Sequence, residues 1–329
     1  MESNDYIIGV DMGGTKILAG VVNAEGKIVS QAKTTTNATE GADKVINRIA
    51  QCIREAIDQG NLAESAQIRA IGIGAPGPLD PDQGVVIFAP NLGWSNVPLK
   101  AKLEANLGIP TFLDNDVNVG TLGEYALGAG QGVKSLVGIF VGTGVGGGII
   151  LDGKLCHGAS KTAGEVGHII VKANGPRCGC GNPGCLEAVA SRIAITRQLR
   201  KAILKKGKKS ILPKLNGGNL DLIRSGAIAE AVKRGDKLTL TIMRKTATYL
   251  GIGVASIVNF LNPEMIVLGG GVIEAMGDSF LDAICQVAAA YALPNTMSGV
   301  QIVRAKLGDD AGVIGASVLA RQMLSQAEH

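Results

Sequence analysis

Three thiols fall within eight residues, at Cys178, Cys180 and Cys185, on a stretch shaped by glycine and proline (Cys178-Gly-Cys180-Gly-Asn-Pro-Gly-Cys185). Thiolates with a nearby imidazole suit tetrahedral Zn2+. His168, ten residues upstream, is the natural fourth ligand, with Cys156 and His157 as less suited substitutes. A closed set of three cysteines and one histidine would be structural, fixing a loop rather than activating water. Unmetallated thiols are the plain alternative.

A second chemistry sits in the glycines. Asp11-Met-Gly13-Gly14-Thr15-Lys16 follows one apolar run, and Gly142-Thr143-Gly144-Val-Gly-Gly-Gly148 follows another. Glycine turns expose backbone N–H groups that no side chain obstructs, and concave arrays of such donors bind phosphate oxygens. Asp11 adds a carboxylate suited to Mg2+ through water, and Thr15 and Lys16 add a hydroxyl and a cation for phosphate. Thr143 repeats the hydroxyl. A third glycine turn, Gly269-Gly270-Gly271, precedes a helix. For either hairpin alone, tight-turn geometry is the competing explanation. Gly142 to Gly147 also matches G-x-G-x-x-G, but that fingerprint requires a helix immediately afterwards, and a β-branched run, Ile149-Ile150-Leu151, follows instead. A nicotinamide oxidoreductase is therefore a weak reading, and no Walker loop occurs.

The third candidate is Asp114-Asn115-Asp116, between a short strand and a helix. Asp and Asn cap helices, so capping competes with catalysis. Both fit together if Asp114 caps and Asp116 faces the reactants, in which case Asp114→Asn is mild and Asp116→Asn severe. Glu165 taken alone reads as a surface carboxylate, and Glu187 as a first-turn acid favoured by the helix dipole. Trp94, the only tryptophan, reads as packing.

These groups need positioning elements. The opening reads as strand, turn, strand, turn, strand over Tyr6–Val10, Lys16–Val22 and from Lys27. Val45, Ile46, Ile49, Ile53, Ala56 and Ile57 recur at helical spacing from Ala42. Ile68–Gly74 is a buried strand, Leu99–Leu107 a short helix, Thr111–Leu113 a strand, Val117–Leu127 a helix and Ala311–Met323 another. Strand, threonine-bearing glycine turn and strand recur from Ser135 to Leu151, which predicts two related lobes.

At 329 residues the chain has room for about two domains. Its core must be aliphatic, since aromatics are only 3%; the 47 glycines, about twice the usual ~7%, suggest tight turns around ligands. Net charge is +4, but Arg197 to Lys214 holds eight bases and no acid, leaving 24 bases against 28 acids elsewhere. A mildly acidic body with one basic segment lacks the basic face of a nucleic-acid binder. The polar start Met1–Asp5 carries no leader pattern, and no run of ~18 apolar residues could span a membrane. A cytoplasmic protein is expected, in which six cysteines would not form structural disulfides.

Asp11–Lys16, Asp114–Asp116, Gly142–Gly148, Gly164-Glu-Val-Gly-His168, Cys178–Glu187 and Leu268–Gly271 together resemble the ROK family (repressor, open reading frame, kinase), in consistent order from about residue 6 to 320. The resemblance implies an α/β, two-lobed, actin-like (ribonuclease-H-like) ATPase fold with a zinc-binding loop, its lobes closing on sugar and nucleotide. The small lobe would be residues 1–127 plus 311–329, and the large lobe 128–310. Within the family the chain is most similar to glucose-phosphorylating members, whose extra loop and C-terminal pattern Lys205–Ser210 and Gly308–Gly315 resemble. The resemblance makes Asp116 the general base. It implies sugar contacts at Gly77, Asn115, Asp116, Glu165, His168 and Glu187. Contacts to ATP would come from Asp11, Gly13, Gly14, Thr15, Lys16, Gly142, Thr143, Gly144, Gly269, Gly270 and Gly271, with Mg2+. Structural Zn2+ would sit on His168, Cys178, Cys180 and Cys185, and the other nitrogen of His168 would face the sugar.

N-acetylmannosamine, N-acetylglucosamine, fructose or allose could replace glucose, and polyphosphate could replace ATP. The family's repressors carry an N-terminal helix-turn-helix, for which a first strand at Tyr6 leaves no room. A homodimer or homotetramer is expected from the resemblance alone, with no nucleic-acid or membrane partner.

Overall fold

The computed structural model describes residues 5–63 and 66–327; the polar start at 1–4 lies outside them. The strands are β1 (Asp5–Met12), β2 (Lys16–Val22), β3 (Ile28–Thr35), β4 (Gln67–Ala75), β5 (Leu79–Asp80), β6 (Val85–Ala89), β7 (Trp94–Val97), β8 (Thr111–Asn115), β9 (Leu136–Val141), β10 (Val145–Leu151), β11 (Lys154–Leu155), β12 (Met265–Gly269) and β13 (Gln301–Arg304). β9 and β12, with Ile7–Val10 of β1 and Ala70–Ala75 of β4, are continuous, largely buried runs without charge because both faces of their sheets are covered.

The expected repeat is present. One five-stranded sheet has the order β3-β2-β1-β4-β8 and the other β11-β10-β9-β12-β13. In the first, β2 runs antiparallel to β1 and β3, while β4 is parallel to β1 and β8. The second repeats this pattern, with β10 antiparallel to β11 and β12 parallel to β9 and β13. Strands β5, β6 and β7 form a small separate sheet.

The chain divides into two compact units. The first runs to Gly132 and adds Gly148–Gly164 and the segment from Asp309; the second comprises Val133–Gly147 and Glu165–Gly308. Segment 148–164 therefore sits with the first unit, whereas the sequence reading put it in the large lobe. Close packing explains the difference. A Cβ on Gly148 would lie 2.4 Å from the Thr121 hydroxyl, and one on Gly153 would lie 3.1 Å from the Tyr125 hydroxyl.

Much of the glycine excess serves this kind of packing rather than ligand turns. Within the first unit, helix Ala311–Ala327 lies directly on β1 and β4, where a Cβ on Gly9 would meet Val313 O at 1.9 Å and one on Gly72 would meet Ala316 O at 1.8 Å. Gly315 of that helix meets Val119 O at 1.8 Å in the same sense, on helix Asp116–Leu127. On the other side, helix Ala42–Gln59 buries Val45, Ile46, Ile49, Ile53 and Ala56, the face its spacing predicts. Trp94, 2% exposed, packs into that core.

In the second unit, the 25-residue helix Lys237–Leu261 buries Leu250, Val254, Ile257 and Val258. The basic segment begins in helix Arg192–Arg200 and continues through a π-helical turn, Lys201–Lys205. No helix of the described residues is long and apolar enough to cross a membrane.

Candidate active site

In the first unit, β1 and β2 pair as far as Met12 and Ile17, so Gly13–Lys16 forms the exposed end of the hairpin. The turn is closed by Gly13 N–H donating to Lys16 O at 2.9 Å. Thr36 braces it from β3's end: its N–H donates to Thr15 O at 2.9 Å and its hydroxyl to Gly13 O at 2.7 Å. Gly13, Gly14, Thr15, Lys16, Lys33, Thr34 and Thr35 line an open depression of about 640 Å3. Two cations, three hydroxyls and bare backbone are groups that can receive an anion. Lys33 to Thr36 were not singled out from the sequence, although antiparallel pairing of Lys16 with Thr35 brings them there. Asp11 stands at the base of the hairpin. Burial pushes its carboxyl above the usual range, Lys16 acts against this and Asp309 adds to it. Lys16 Nζ also lies 3.7 Å from Asp309.

The turn Asp114–Asn115–Asp116 ends β8 and opens helix Asp116–Leu127. Here one expectation is corrected: the cap is Asn115, not Asp114. Asn115 Oδ1 accepts from Val117 N at 2.9 Å and from Asn118 N at 3.3 Å, satisfying two orphan donors of the first turn. Asp114, 1% exposed, accepts instead from Asn115 N and the Asn118 side chain. Asn115 Nδ2 donates to Gly77 O at 3.4 Å, so two residues predicted to bind sugar meet. Gly77 has φ +92°, and a Cβ there would strike Phe88 O at 2.2 Å, so only glycine fits. Asp116 Oδ1 accepts from Val117 N at 2.9 Å. His157, considered only as a substitute metal ligand, is engaged elsewhere: its Nε2 lies 2.5 Å from Asp114 Oδ2. That hydrogen bond pushes the imidazole above its ordinary value, and burial acts against it.

In the second unit, Gly142–Gly144 links β9 to β10, with Gly142 N–H donating to Gly144 O at 2.9 Å. The turn is shorter than the glycine run suggested, because Gly146, Gly147 and Gly148 already lie in β10. A strand, not a helix, follows the G-x-G-x-x-G match, as its context predicted. Arg192 donates to the Thr143 hydroxyl at 2.9 Å and its own N–H to Gly142 O at 2.9 Å. Glu187 lies behind the turn: Oε2 accepts from Val145 N at 3.1 Å, and a Cβ on Gly144 would come within 2.3 Å of it. The third glycine turn runs from β12 into helix Gly271–Met276, and Gly270 (φ +85°) packs on Val141 backbone.

Glu187 reaches the sulfur cluster as well, with Oε1 3.6 Å from Cys178 Sγ. His168, Cys178, Cys180 and Cys185 place one ligand atom each within 4.8 Å of one another, and Cys156 is not among them. Cys178 Sγ is 3.7 Å from His168 Nδ1, and the sulfurs of Cys180 and Cys185 are 3.6 Å apart. Tetrahedral zinc with Zn–S near 2.3 Å requires ligand separations of about 3.8 Å, so the donor set fits that ion. His168 Nε2 lies 3.7 Å from Glu165 Oε2, leaving the two ring nitrogens facing different partners. Burial raises the Cys178 thiol and pushes Cys185 up to about 12, while the Asn182 backbone lowers Cys180, so a bound cation would be needed to hold all three as thiolates.

A duplicated sheet with a threonine-bearing glycine hairpin in each copy, and a carboxylate turn at a parallel strand's end, defines the actin-like class of phosphotransferase folds. Within that class the chain belongs to the ROK family, whose model matches residues 7–323. It is 38% identical to the glucokinase of Halalkalibacterium halodurans over 327 residues, 99% of this chain and 98% of that one. A ROK family glucokinase from Streptomyces griseus, solved in complex with glucose and AMPPNP, superposes with a TM-score of 0.84 at 38% identity, covering 96% of this chain and 99% of its own. The xylose repressor of Caldicellulosiruptor bescii is 33% identical over 98% of this chain and 80% of the repressor.

Proposed function

We propose that the chain is a glucokinase, transferring the terminal phosphoryl group of ATP to the 6-hydroxyl of glucose. The observation that carries the reading is the acceptor turn: Asn115 caps the helix, reaches Gly77 and leaves Asp116 as the next side chain at the strand's end. Phosphoryl transfer is mostly positioning and charge neutralisation. In the first unit Asp116 accepts the hydroxyl proton as the oxygen attacks in line, while Asn115 and Gly77 hold neighbouring sugar groups. Glu165, His168 and Glu187 bind further sugar hydroxyls. The N–H groups and hydroxyls of Gly13–Lys16 and Gly142–Gly144, with Gly269–Gly271, receive the nucleotide. Asp11 is the residue to hold Mg2+, which neutralises phosphate charge when bound. Zn2+ on His168, Cys178, Cys180 and Cys185 is structural: it fixes the loop that leads into helix Leu186–Ala190, whose first turn carries Glu187. The two units correspond to the kinase's two lobes, and a homodimer or homotetramer belongs to the same reading.

A panel of glucose, fructose, N-acetylmannosamine, N-acetylglucosamine and allose, with ATP and Mg2+ in a coupled ADP assay, tests this. Glucose-dependent ADP release exceeding that with every other sugar is expected. Preference for another sugar overturns the specificity. No sugar-dependent release, with a gel shift on DNA fragments, would replace the kinase by a repressor.

A further inference from the structure

Asp114 is the acidic residue of the acceptor turn to which phosphoryl transfer gives no task, and it is the most buried of the turn's three residues. Its oxygens are occupied. Oδ1 accepts from Asn115 N at 2.7 Å and from Asn118 Nδ2 at 2.9 Å, and Oδ2 meets His157 Nε2 at 2.5 Å. Asn118 is itself 4% exposed. A buried carboxylate is costly unless every oxygen is satisfied, and an apolar residue of similar size is often at least as stable. A polar chain from His157 through Asp114 to Asn115 and Asn118 is thus not explained by stability, and it ends on the residues that flank Asp116.

His157 arrives on a segment of the same unit that is held at several points. Cys156 N–H donates to Ile149 O at 2.8 Å, Ala163 N–H donates to His157 O at 3.0 Å, and Lys161 Nζ lies 2.7 Å from Asp82. The segment therefore presents the imidazole to Asp114 from a fixed base. Rotation of Asp114 would release Asn115's N–H and Asn118's amide together, and with them the pitch of the first helical turn.

We propose that His157 is a positioning residue for phosphoryl transfer: through the Asp114 carboxylate it fixes the orientation in which Asn115 and Asp116 meet the sugar hydroxyls. This rests on the kinase reading of Asp116. A misplacement of about 1 Å in such a group costs on the order of 100-fold in rate. Loss of the imidazole should therefore appear in turnover and glucose affinity, and not in the handling of nucleotide.

The test compares the full-length wild type with His157→Ala, His157→Asn and His157→Gln, measuring kcat, KM for glucose, KM for ATP and melting temperature. His157→Ala should lose at least ~10-fold in kcat and raise the glucose KM, leaving the ATP KM within about twofold. Gln, whose amide N–H reaches Asp114, should recover most of the loss; Asn, one methylene shorter, should not. If Ala is not recovered folded, the Gln and Asn pair decides. Unchanged kinetics in Ala or Asn, a loss that Gln fails to recover, or parallel rises in both KM values overturns the proposal. A wild type without sugar-dependent ADP release fails the kinase reading itself, a result distinct from an active enzyme indifferent to residue 157.

Discussion

The two sheets have one topology and put different chemistry at the same place. In the first unit the hairpin end is open, braced from below by Thr36, and lined by Lys16 and Lys33 with the hydroxyls of Thr15, Thr34 and Thr35. In the second, the hairpin is backed by a carboxylate: Glu187 fills the space a Gly144 side chain would need, and its other oxygen reaches the cysteine cluster. In the first copy Asp11 stands at the base of the hairpin beside Lys16, while in the second Glu187 supports the turn through Val145 N. The two copies thus carry different supports behind one kind of turn, and substitutions in them should fail in different ways.

The largest effect is expected in the first unit. Asp116→Asn keeps the shape and a hydrogen-bonding amide but cannot accept a proton, and positioned bases typically contribute ~10²–10⁴ in rate. Turnover at saturating ATP should fall at least ~100-fold, while the glucose Kd, read by calorimetry, moves only a few-fold. Retained turnover would remove Asp116 from the chemistry and leave the first unit no more reactive than the second.

Next comes the cluster. Cys180→Ser removes one thiolate from a set that fits zinc, and should lower metal content by elemental analysis. Loss of a metal's supporting groups costs ~10–100-fold in metal affinity or activity. Because Glu187 lies 3.6 Å from Cys178, the damage should appear as weaker sugar binding. Metal-replete wild type containing no zinc would break the assignment.

The same substitution in both hairpins then sharpens the contrast. A Cβ at Gly13 would meet nothing closer than Lys16 O at 3.5 Å, an ordinary contact, whereas one at Gly144 would sit 2.3 Å from Glu187 Oε2. Gly13→Ala should leave stability within ~0.5 kcal/mol. Gly144→Ala should cost about 1 kcal/mol by detaching Glu187 from Val145 N, with a several-fold loss in glucose affinity. Equal melting temperatures for the two variants would deny that Glu187 props the second turn.

Local signals in the chain were readable, and distant pairings were not. Helix Leu99–Leu107 and strand Lys16–Val22 have the bounds their patterns predict. The cluster of His168 with three cysteines follows from spacing on a glycine-shaped loop. Three features escaped for physical reasons. Asn and Asp cap equally well, so Asp114-Asn115-Asp116 does not announce which one turns inward. Glycines that let helix Ala311–Ala327 rest on β1 and β4 look the same as glycines for ligand turns, because the partner lies some 240–300 positions away in the chain. His157 and Asp114 are 43 residues apart, and only the path of segment 148–164 back to the first unit joins them.

The smallest effect concerns how each sheet fastens its first and fourth strands. In the first sheet, β1 and β4 share an ion pair, Asp5 to Arg69 at 3.8 Å, with both side chains about two-fifths exposed; such pairs contribute little, so Asp5→Asn should leave the melting temperature unchanged. In the second sheet Glu264, just before β12, accepts from Lys134 N at 2.5 Å and Ser135 N at 2.8 Å, just before β9. Those N–H donors hold its carboxyl below the ordinary 4.5, with the backbone of Ser135 first and of Lys134 second. A depressed folded value means the stabilisation is fully present above the unfolded pKa and is lost as pH falls through the folded one. Glu264→Gln should therefore lower the melting temperature slightly at pH 7, and the gap from wild type should close as the pH falls below the ordinary 4.5 and through the lowered folded value. A gap that stays constant down to pH 3 would mean that the amide and the carboxylate hold the strands alike, and that charge has no part in fastening the second sheet.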